Sequence, residues 1–210
     1  MKFQLWFAAL LMFGVAGVAS AQSAEIGSGF YAGAFGGLAK YPDQPRVVVG
    51  SFTMYATNET RDDASWGIAG GYRFGKYFAI DAGYIDLGEG TASLAYSAGI
   101  ANLRFRARGE TLGFAGILPF GSRWEAYAKL GLMHQDVDFG LSGTQSGAPF
   151  ALSSNSHDGV KLYQEAGISC RFDTHWKTTL AVSHFPNVGK QDVTGQVNIL
   201  NTSLGIYYQF

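Results

Sequence analysis

The sequence predicts an all-β fold, an eight-stranded antiparallel up-and-down barrel that crosses a membrane with its strands. Eight segments show a two-residue alternation of side-chain character and are bounded by turn residues. The connections between them alternate strictly between short and long. Such alternation puts the short turns at one end of a barrel and the long loops at the other. No segment shows a sustained 3.6-residue apolar period, so helices are not expected in the folded part.

The N-terminus has the features of a secretory signal peptide. Lys2 supplies a positive charge, residues 5–18 are mostly apolar, and the small residues Ala19 and Ala21 form a cleavage site. An uncleaved membrane helix is the alternative, but the apolar run is shorter than the roughly 20 residues that span a bilayer. We therefore expect residues 1–21 to be removed after Ala21, and residues 22–210 to form the barrel domain.

Composition excludes several classes of protein. Only 15% of the residues are charged and the formal net charge is −1, so no bulk attraction to nucleic acid is expected. The mean hydropathy of +0.05 is too low for a bundle of membrane helices. Cys170 is the single cysteine, which rules out an intramolecular disulfide.

The eight strands are defined by Gly, aromatic and β-branched residues in alternation. They are predicted at 29–41, 64–74, 77–87, 108–118, 123–136, 159–172, 175–185 and 199–210. Short turns fall at 75–76, 119–122 and 173–174, and long loops at 42–63, 88–107, 137–158 and 186–198. Both ends of the barrel domain then lie on the side of the short turns.

One face of each strand is apolar, and two observations place that face toward lipid. A soluble barrel would show the same alternation with its apolar face inside. Here the opposite face carries charges among small residues, namely Arg73, Asp81, Lys129, Glu165, Arg171 and Lys177. Aromatic residues also cluster beside the short turns, as in an interfacial girdle. These are Phe74, Tyr77, Phe78, Phe120, Trp124, Phe172 and Trp176.

The six luminal charges have two interpretations. They could line a pore, or they could fill the barrel as structural ion pairs, since eight strands leave an interior just wide enough for side chains. We favour ion pairs. Lys129 and Glu165 lie on neighbouring strands with the same parity, so we expect them to interact.

Three segments resemble the OmpA-like, opacity-type family of small outer-membrane barrels. They are the first strand, GFYAGAFGG at 29–37, the third strand, FAIDAGYIDLG at 78–88, and the last strand. The resemblance implies a bacterial outer-membrane location and a monomeric barrel in contact with outer-membrane lipid. It also implies that the last strand carries the signal read by the outer-membrane assembly machinery. That signal would comprise Leu204, Ile206, Tyr208 and Phe210.

No catalytic, cofactor or metal site is expected. The segment from His184 to Asn187 is faintly similar to the His-x-Ser-Asn stretch of lipid A deacylase barrels, but Pro186 occupies the position of the serine. Ser183 and His184 are adjacent in a strand and would face opposite sides. The four histidines lie on different strands or loops without metal-site spacing. We therefore expect a protein that is not an enzyme.

Three arginines, Arg104, Arg106 and Arg108, repeat at period two beside the fourth strand. If they continue the parity of Leu112 and Phe114, they face outward near the external leaflet. Guanidinium groups suit phosphates, so lipopolysaccharide phosphates are a candidate partner. The alternative, an ordinary solvated loop, is the interpretation we favour, because strand parity often fails through loops and bulges.

Together these features predict an outer-membrane protein with a structural and surface-interaction role, acting through four external loops. A narrow or gated pore is the alternative, and an envelope enzyme acting on lipid A is the third possibility. A host or surface ligand of the loops is expected, but loop chemistry varies independently of the barrel, so the sequence does not name it.

Overall fold

The computed structural model describes residues 28–41, 48–49, 52–53, 55–60, 62–96, 99–145, 148–156, 159–189 and 196–210. The expected signal peptide, residues 1–21, lies outside these ranges. The described residues form twelve strands. They are β1 (Gly29–Lys40), β2 (Val48–Val49), β3 (Phe52–Thr53), β4 (Tyr55–Thr60), β5 (Asp62–Phe74), β6 (Phe78–Tyr96), β7 (Gly99–Phe120), β8 (Trp124–Gln145), β9 (Ala148–Ser156), β10 (Val160–Arg171), β11 (Trp176–Val188) and β12 (Val197–Gln209).

Eight of these strands close into a barrel, which confirms the predicted fold. The order around the barrel is β1, β5, β6, β7, β8, β10, β11 and β12, and every neighbouring pair is antiparallel. The first and last strands pair from Tyr31↔Gln209 to Lys40↔Leu200, and this pairing closes the barrel. No described helix is long and apolar enough to cross a membrane.

The three predicted short connections lie together at one end of the barrel. Two of them contain glycines with positive φ, Gly75 at 63° and Gly121 at 73°, a conformation that glycine adopts without steric cost. The third joins β10 to β11 through residues 172–175.

Three of the four predicted long loops consist mostly of strand residues, which corrects the predicted bounds. Within 42–63 the strands are β2, β3, β4 and the start of β5, and β4 pairs with β6. β6 continues to Tyr96 and β7 begins at Gly99, so most of 88–107 is a hairpin. β8 likewise continues to Gln145 and pairs with β9, so most of 137–158 is a second hairpin. The predicted strands end at turn residues. Backbone pairing does not require an apolar outward face, and the strands therefore continue beyond these residues.

The continuations of β6, β7 and β8, together with β4 and β9, form a sheet at the end of the barrel opposite the short turns. β4, β6, β7, β8 and β9 pair in that order, and we call this the surface sheet. A register shift between Asp86 and Glu89 marks where β6 leaves β5 and pairs with β4 instead. Gly88 lies in this shift with φ of 72°, and a Cβ there would crowd the carbonyl of Ala64.

The outward face of the barrel is an apolar belt around the lower strands. Its exposed side chains include Phe30, Leu38, Trp66, Ile68, Ile80, Leu112, Phe114, Leu118, Leu130, Leu132, Leu162, Ile168, Leu180, Val182, Leu204 and Ile206. The seven aromatic residues predicted beside the short turns are all outward, with 39–57% of their surface exposed. Exposed apolar and aromatic side chains in a continuous belt match a surface that faces lipid.

We predict that deletion of Phe210 impairs membrane insertion in cells more than refolding into detergent. Phe210 is 59% exposed at the end of the outward face, and its ring contacts that of Tyr208 with centroids 5.1 Å apart. Loss of an exposed terminal ring removes little buried area, so most of its effect should come from recognition during assembly. Heat-modifiability in membrane fractions and in refolded samples measures both quantities. Equal losses in the two assays would instead indicate simple destabilisation.

Candidate functional site

The interior next to the short turns contains an acid surrounded by three cations. Glu125 on β8 is 6% exposed and accepts a 2.7 Å hydrogen bond from Nη1 of Arg73 on β5. Nη2 of Arg171 lies 3.6 Å, and Nζ of Lys177 3.5 Å, from the same carboxylate. We call these four residues the Glu125 cluster.

Other groups hold the cations of the Glu125 cluster in place. Arg73 donates from Nε to the carbonyl of Gly75 and from Nη2 to that of Lys76, at 3.0 and 2.9 Å. Its guanidinium therefore also ties the β5–β6 turn to the interior. The ammonium of Lys177 lies over the rings of Tyr31 and Tyr207, 5.1 and 5.8 Å from their centroids. These cation–π contacts supply attraction that a second carboxylate would otherwise give.

A second group of charges lies deeper in the barrel. Nζ of Lys129 on β8 is 2.9 Å from Asp81 on β6 and 3.1 Å from Glu165 on β10, the partner that strand parity predicts. Lys129 and Glu165 are directly opposite in the β8–β10 register. We call this group the Lys129 bridge, because one ammonium joins carboxylates from two different strands.

Hydroxyl groups complete the hydrogen bonding of these two carboxylates. Tyr31 donates to Asp81 at 3.0 Å. Tyr127 and Ser183 donate to the two oxygens of Glu165 at 2.8 and 2.9 Å. Buried ion pairs need such additional hydrogen bonds, because the free-energy cost of removing both charges from water otherwise exceeds their mutual attraction.

The structure places all six predicted luminal charges inside the barrel and adds Glu125 to them. Strand parity could have found it, since Glu125 and Lys129 are four residues apart on one strand and therefore share a face. Small residues make room for this filling. A Cβ at Gly131 would collide with the ring of Tyr163, and one at Gly167 with the ring of Tyr127.

The interior toward the surface sheet is apolar, which corrects the expectation of a small or charged inner face along every strand. Its buried members are Ala39, Tyr41, Ile85, Leu87, Phe105, Ala107, Met133, Val137, Tyr163, Phe185, Val188, Val197 and Ile199. Gln135, 1% exposed, hydrogen-bonds through its side chain to both the N–H and the carbonyl of Gly189. That contact joins the end of β11 to β8 at the top of this apolar layer.

Little space remains between these layers. A cavity of about 30 Å³ lies beside Lys129 and Glu165 and is also lined by Phe35 and Tyr207. That volume corresponds to about one water molecule. At the level of Lys129 and Glu165, side chains therefore fill most of the barrel interior.

Outside the barrel, the three predicted arginines follow one another along β7 on the face of Leu112 and Phe114. Each has a carboxylate partner: Arg104 with Glu89 at 2.6 Å, Arg106 with Asp86 at 2.6 Å, and Arg108 with Asp136 at 2.9 Å and Asp138 at 3.7 Å. The hydrogen bond to Asp86 raises the pKa of Arg106, and that to Asp136 raises the pKa of Arg108. Arg104 is the most exposed of the three, at 64% of its side chain. We call this row the arginine ladder.

The residues weighed for catalysis are held apart. Ser183 is buried and donates to Glu165, whereas His184 follows it on the opposite face of β11. Within the described ranges, no three His, Cys, Asp or Glu residues come together as a metal site. The residues of the expected assembly signal lie on the outward face of β12, with Leu204 and Ile206 exposed and Tyr208 packed against Trp176 and Phe210.

We predict that Glu125→Gln destabilises the folded barrel by about 3–5 kcal/mol, because it leaves the buried Arg73 and the largely buried Arg171 and Lys177 without their acid. Urea-induced unfolding of the protein in lipid vesicles measures this change. The matched control is Glu110→Gln on the outward face, where the 3.9 Å contact with His134 is solvent-exposed; it should change the stability by less than about 1 kcal/mol. Similar small effects of both substitutions would show that the Glu125 cluster does not stabilise the interior.

Comparison with known proteins identifies the family. Residues 27–210 match the OmpA-like transmembrane domain. The fold is similar to Neisserial surface protein A, with a TM-score of 0.52, 17% identity, and coverage of 88% of this chain and 99% of that one. It is also similar to OprG of Pseudomonas aeruginosa, with a TM-score of 0.51, 12% identity, and coverage of 91% and 99%. These two likenesses concern the fold alone, and no curated relative matches by sequence. On the family match, the chain belongs to the OmpA-like transmembrane domain family and is a small β-barrel of the bacterial outer membrane.

Proposed function

We propose that the protein is a structural and surface-interaction protein, which anchors in the outer membrane as a monomer and displays its long connections outside the cell. The observation that carries this proposal is the continuation of paired strands beyond the apolar belt. On β7 the belt ends near Leu112, and the strand continues in register with β6 and β8 as far as Ala101. About eleven further residues extend roughly 35 Å at 3.2–3.4 Å per residue.

The side-chain pattern of the surface sheet supports exposure to water on its outward face. There the arginine ladder and its acidic partners replace the apolar side chains of the belt. The inward face carries buried apolar residues, among them Ala92, Leu103 and Leu141. This is the pattern of a soluble sheet with a core on one side. Ordered hairpins of this kind offer a host or surface ligand a preformed surface.

Lipopolysaccharide phosphates are the proposed membrane partner of the arginine ladder. A guanidinium has donors on three nitrogens. The ion pair of Arg104 with Glu89 is made through Nη2, one of these nitrogens. Because its side chain is the most exposed, we expect Arg104 to contribute most to phosphate binding and Arg106 and Arg108 to contribute less. For biogenesis, we propose that the assembly machinery reads Leu204, Ile206, Tyr208 and Phe210 on the outward face of β12.

A narrow or gated pore is the second candidate function. The Glu125 cluster, the Lys129 bridge and the apolar layer above them occupy the interior in series, and this favours a structural role for the luminal charges. The lipid A enzyme stands third, because the hydroxyl of Ser183 and the ring of His184 lie on opposite faces of one strand.

We predict that the β8–β9 hairpin is accessible from outside the cell and that the short turns are not. Ala148→Cys in the hairpin and Lys76→Cys in the β5–β6 turn serve as matched probes, because both positions are exposed. Each is made in a Cys170→Ser background. An impermeant maleimide should label Ala148→Cys in intact cells, and Lys76→Cys only after the envelope is opened. The reverse pattern would contradict surface display by the hairpins.

A further inference from the structure

At the top of the arginine ladder, the outward face of the surface sheet carries two aligned rows of residues, most of which have small polar side chains. Cross-strand pairing on β6, β7, β8 and β9 defines both rows. The lower row is Thr91, Arg104, Gly140 and Ser153, and the upper row is Ser93, Asn102, Ser142 and Ala151. A groove of about 480 Å³ lies on these residues, and we call it the polar shelf.

A glycine in the middle keeps the polar shelf open. A Cβ at Gly140 would meet only Cβ of Arg104 at 3.8 Å, which is ordinary van der Waals contact, and Gly140 is not among the glycines with positive φ. Neither packing nor backbone conformation therefore requires glycine here. Its effect is to leave space at the centre of the lower row.

The chemistry of the polar shelf suits a ligand rich in hydroxyl groups. Serine, threonine and asparagine side chains both donate and accept hydrogen bonds, as sugar hydroxyls do. Arg104, paired with Glu89, is the one cation of the two rows, so hydroxyl and amide groups make up most of the polar chemistry of the shelf. Its two rows contain no aromatic or large aliphatic side chain of the kind that anchors most protein interfaces.

The position of the polar shelf on β7 indicates where such a ligand would come from. Moving up the outward face of this strand, Phe114 and Leu112 belong to the apolar belt, Glu110 and the three arginines follow, and Asn102 lies on the shelf. From Leu112 to Asn102 is ten residues, or about 33 Å of strand. A molecule lying along this face would meet first apolar side chains, then arginines with their carboxylate partners, and then hydroxyl and amide groups.

We propose that the polar shelf binds the core saccharide of a neighbouring lipopolysaccharide molecule. Lipopolysaccharide presents acyl chains, phosphates and sugars in this order from the membrane outward. Because the shelf continues the lipid-facing side of β7, it faces sideways into the lipopolysaccharide layer. The inference rests on the proposed function, since it requires the surface sheet to lie outside the cell.

The test uses the detergent-refolded protein and a deacylated, dephosphorylated core oligosaccharide as the probe, titrated by NMR. We expect the wild type to bind it, with shifts confined to the surface sheet, and Gly140→Tyr to bind at least tenfold more weakly. The matched control is Gly116→Tyr, on the same outward sheet surface but within the apolar belt, where a Cβ meets nothing within 4 Å. It should bind like the wild type.

Two further measurements distinguish binding of the sugars from binding of the phosphates and from unspecific binding of any oligosaccharide. Arg104→Gln should weaken binding of the phosphorylated oligosaccharide more than that of the dephosphorylated one. Linear maltoheptaose should bind at least tenfold more weakly than the core oligosaccharide. The inference is overturned if the wild type does not bind at millimolar concentration, if Gly140→Tyr binds unchanged, or if maltoheptaose binds equally well. Maleimide labelling of intact cells reports surface display independently, so failure of the shelf is distinguishable from failure of the proposed function.

Discussion

An eight-stranded barrel encloses an interior only as wide as the side chains that fill it, so every charge placed there needs a partner within reach. The Lys129 bridge meets this constraint by joining Asp81 and Glu165 across the barrel. The Glu125 cluster meets it with one acid among three cations, supplemented by two turn carbonyls and two tyrosine rings. Several of these ion pairs join strands that are not neighbours in the barrel, such as β5 with β8 and β6 with β8, so they also connect its walls across the interior.

The distribution of polar and apolar side chains inverts along the strands. Beside the short turns, the outward faces are apolar and the interior is charged. Toward the surface sheet, the interior is apolar and the outward faces carry the arginine ladder and the polar shelf. β7 shows both halves, with Leu112 and Phe114 outward below, and Leu103 and Phe105 inward above. Each half therefore suits the surroundings proposed for it, lipid below and water above.

Much of this arrangement follows from a two-residue period in the sequence. Alternation sufficed to predict the eight strands, the short turns and the inward parity of Lys129 and Glu165. Alternation does not predict the upper halves of β6, β7 and β8, because their outward faces are polar and this composition is also typical of loops. It also left open which charges meet across the interior. Arg73 and Glu125 are 52 residues apart, and only closure of the barrel brings them to 2.7 Å.

We infer that side chains fill the interior and that the protein acts through its outer surfaces. Recording purified monomeric protein in planar bilayers beside a known porin, with sugar uptake measured in liposomes, tests this most directly. Wide aqueous channels appear at about 16 strands, and eight strands leave space only for side chains. We expect no stable openings, and sugar uptake no faster than in protein-free liposomes. Stable large conductance, or rapid sugar uptake by the monomer, would contradict the claim.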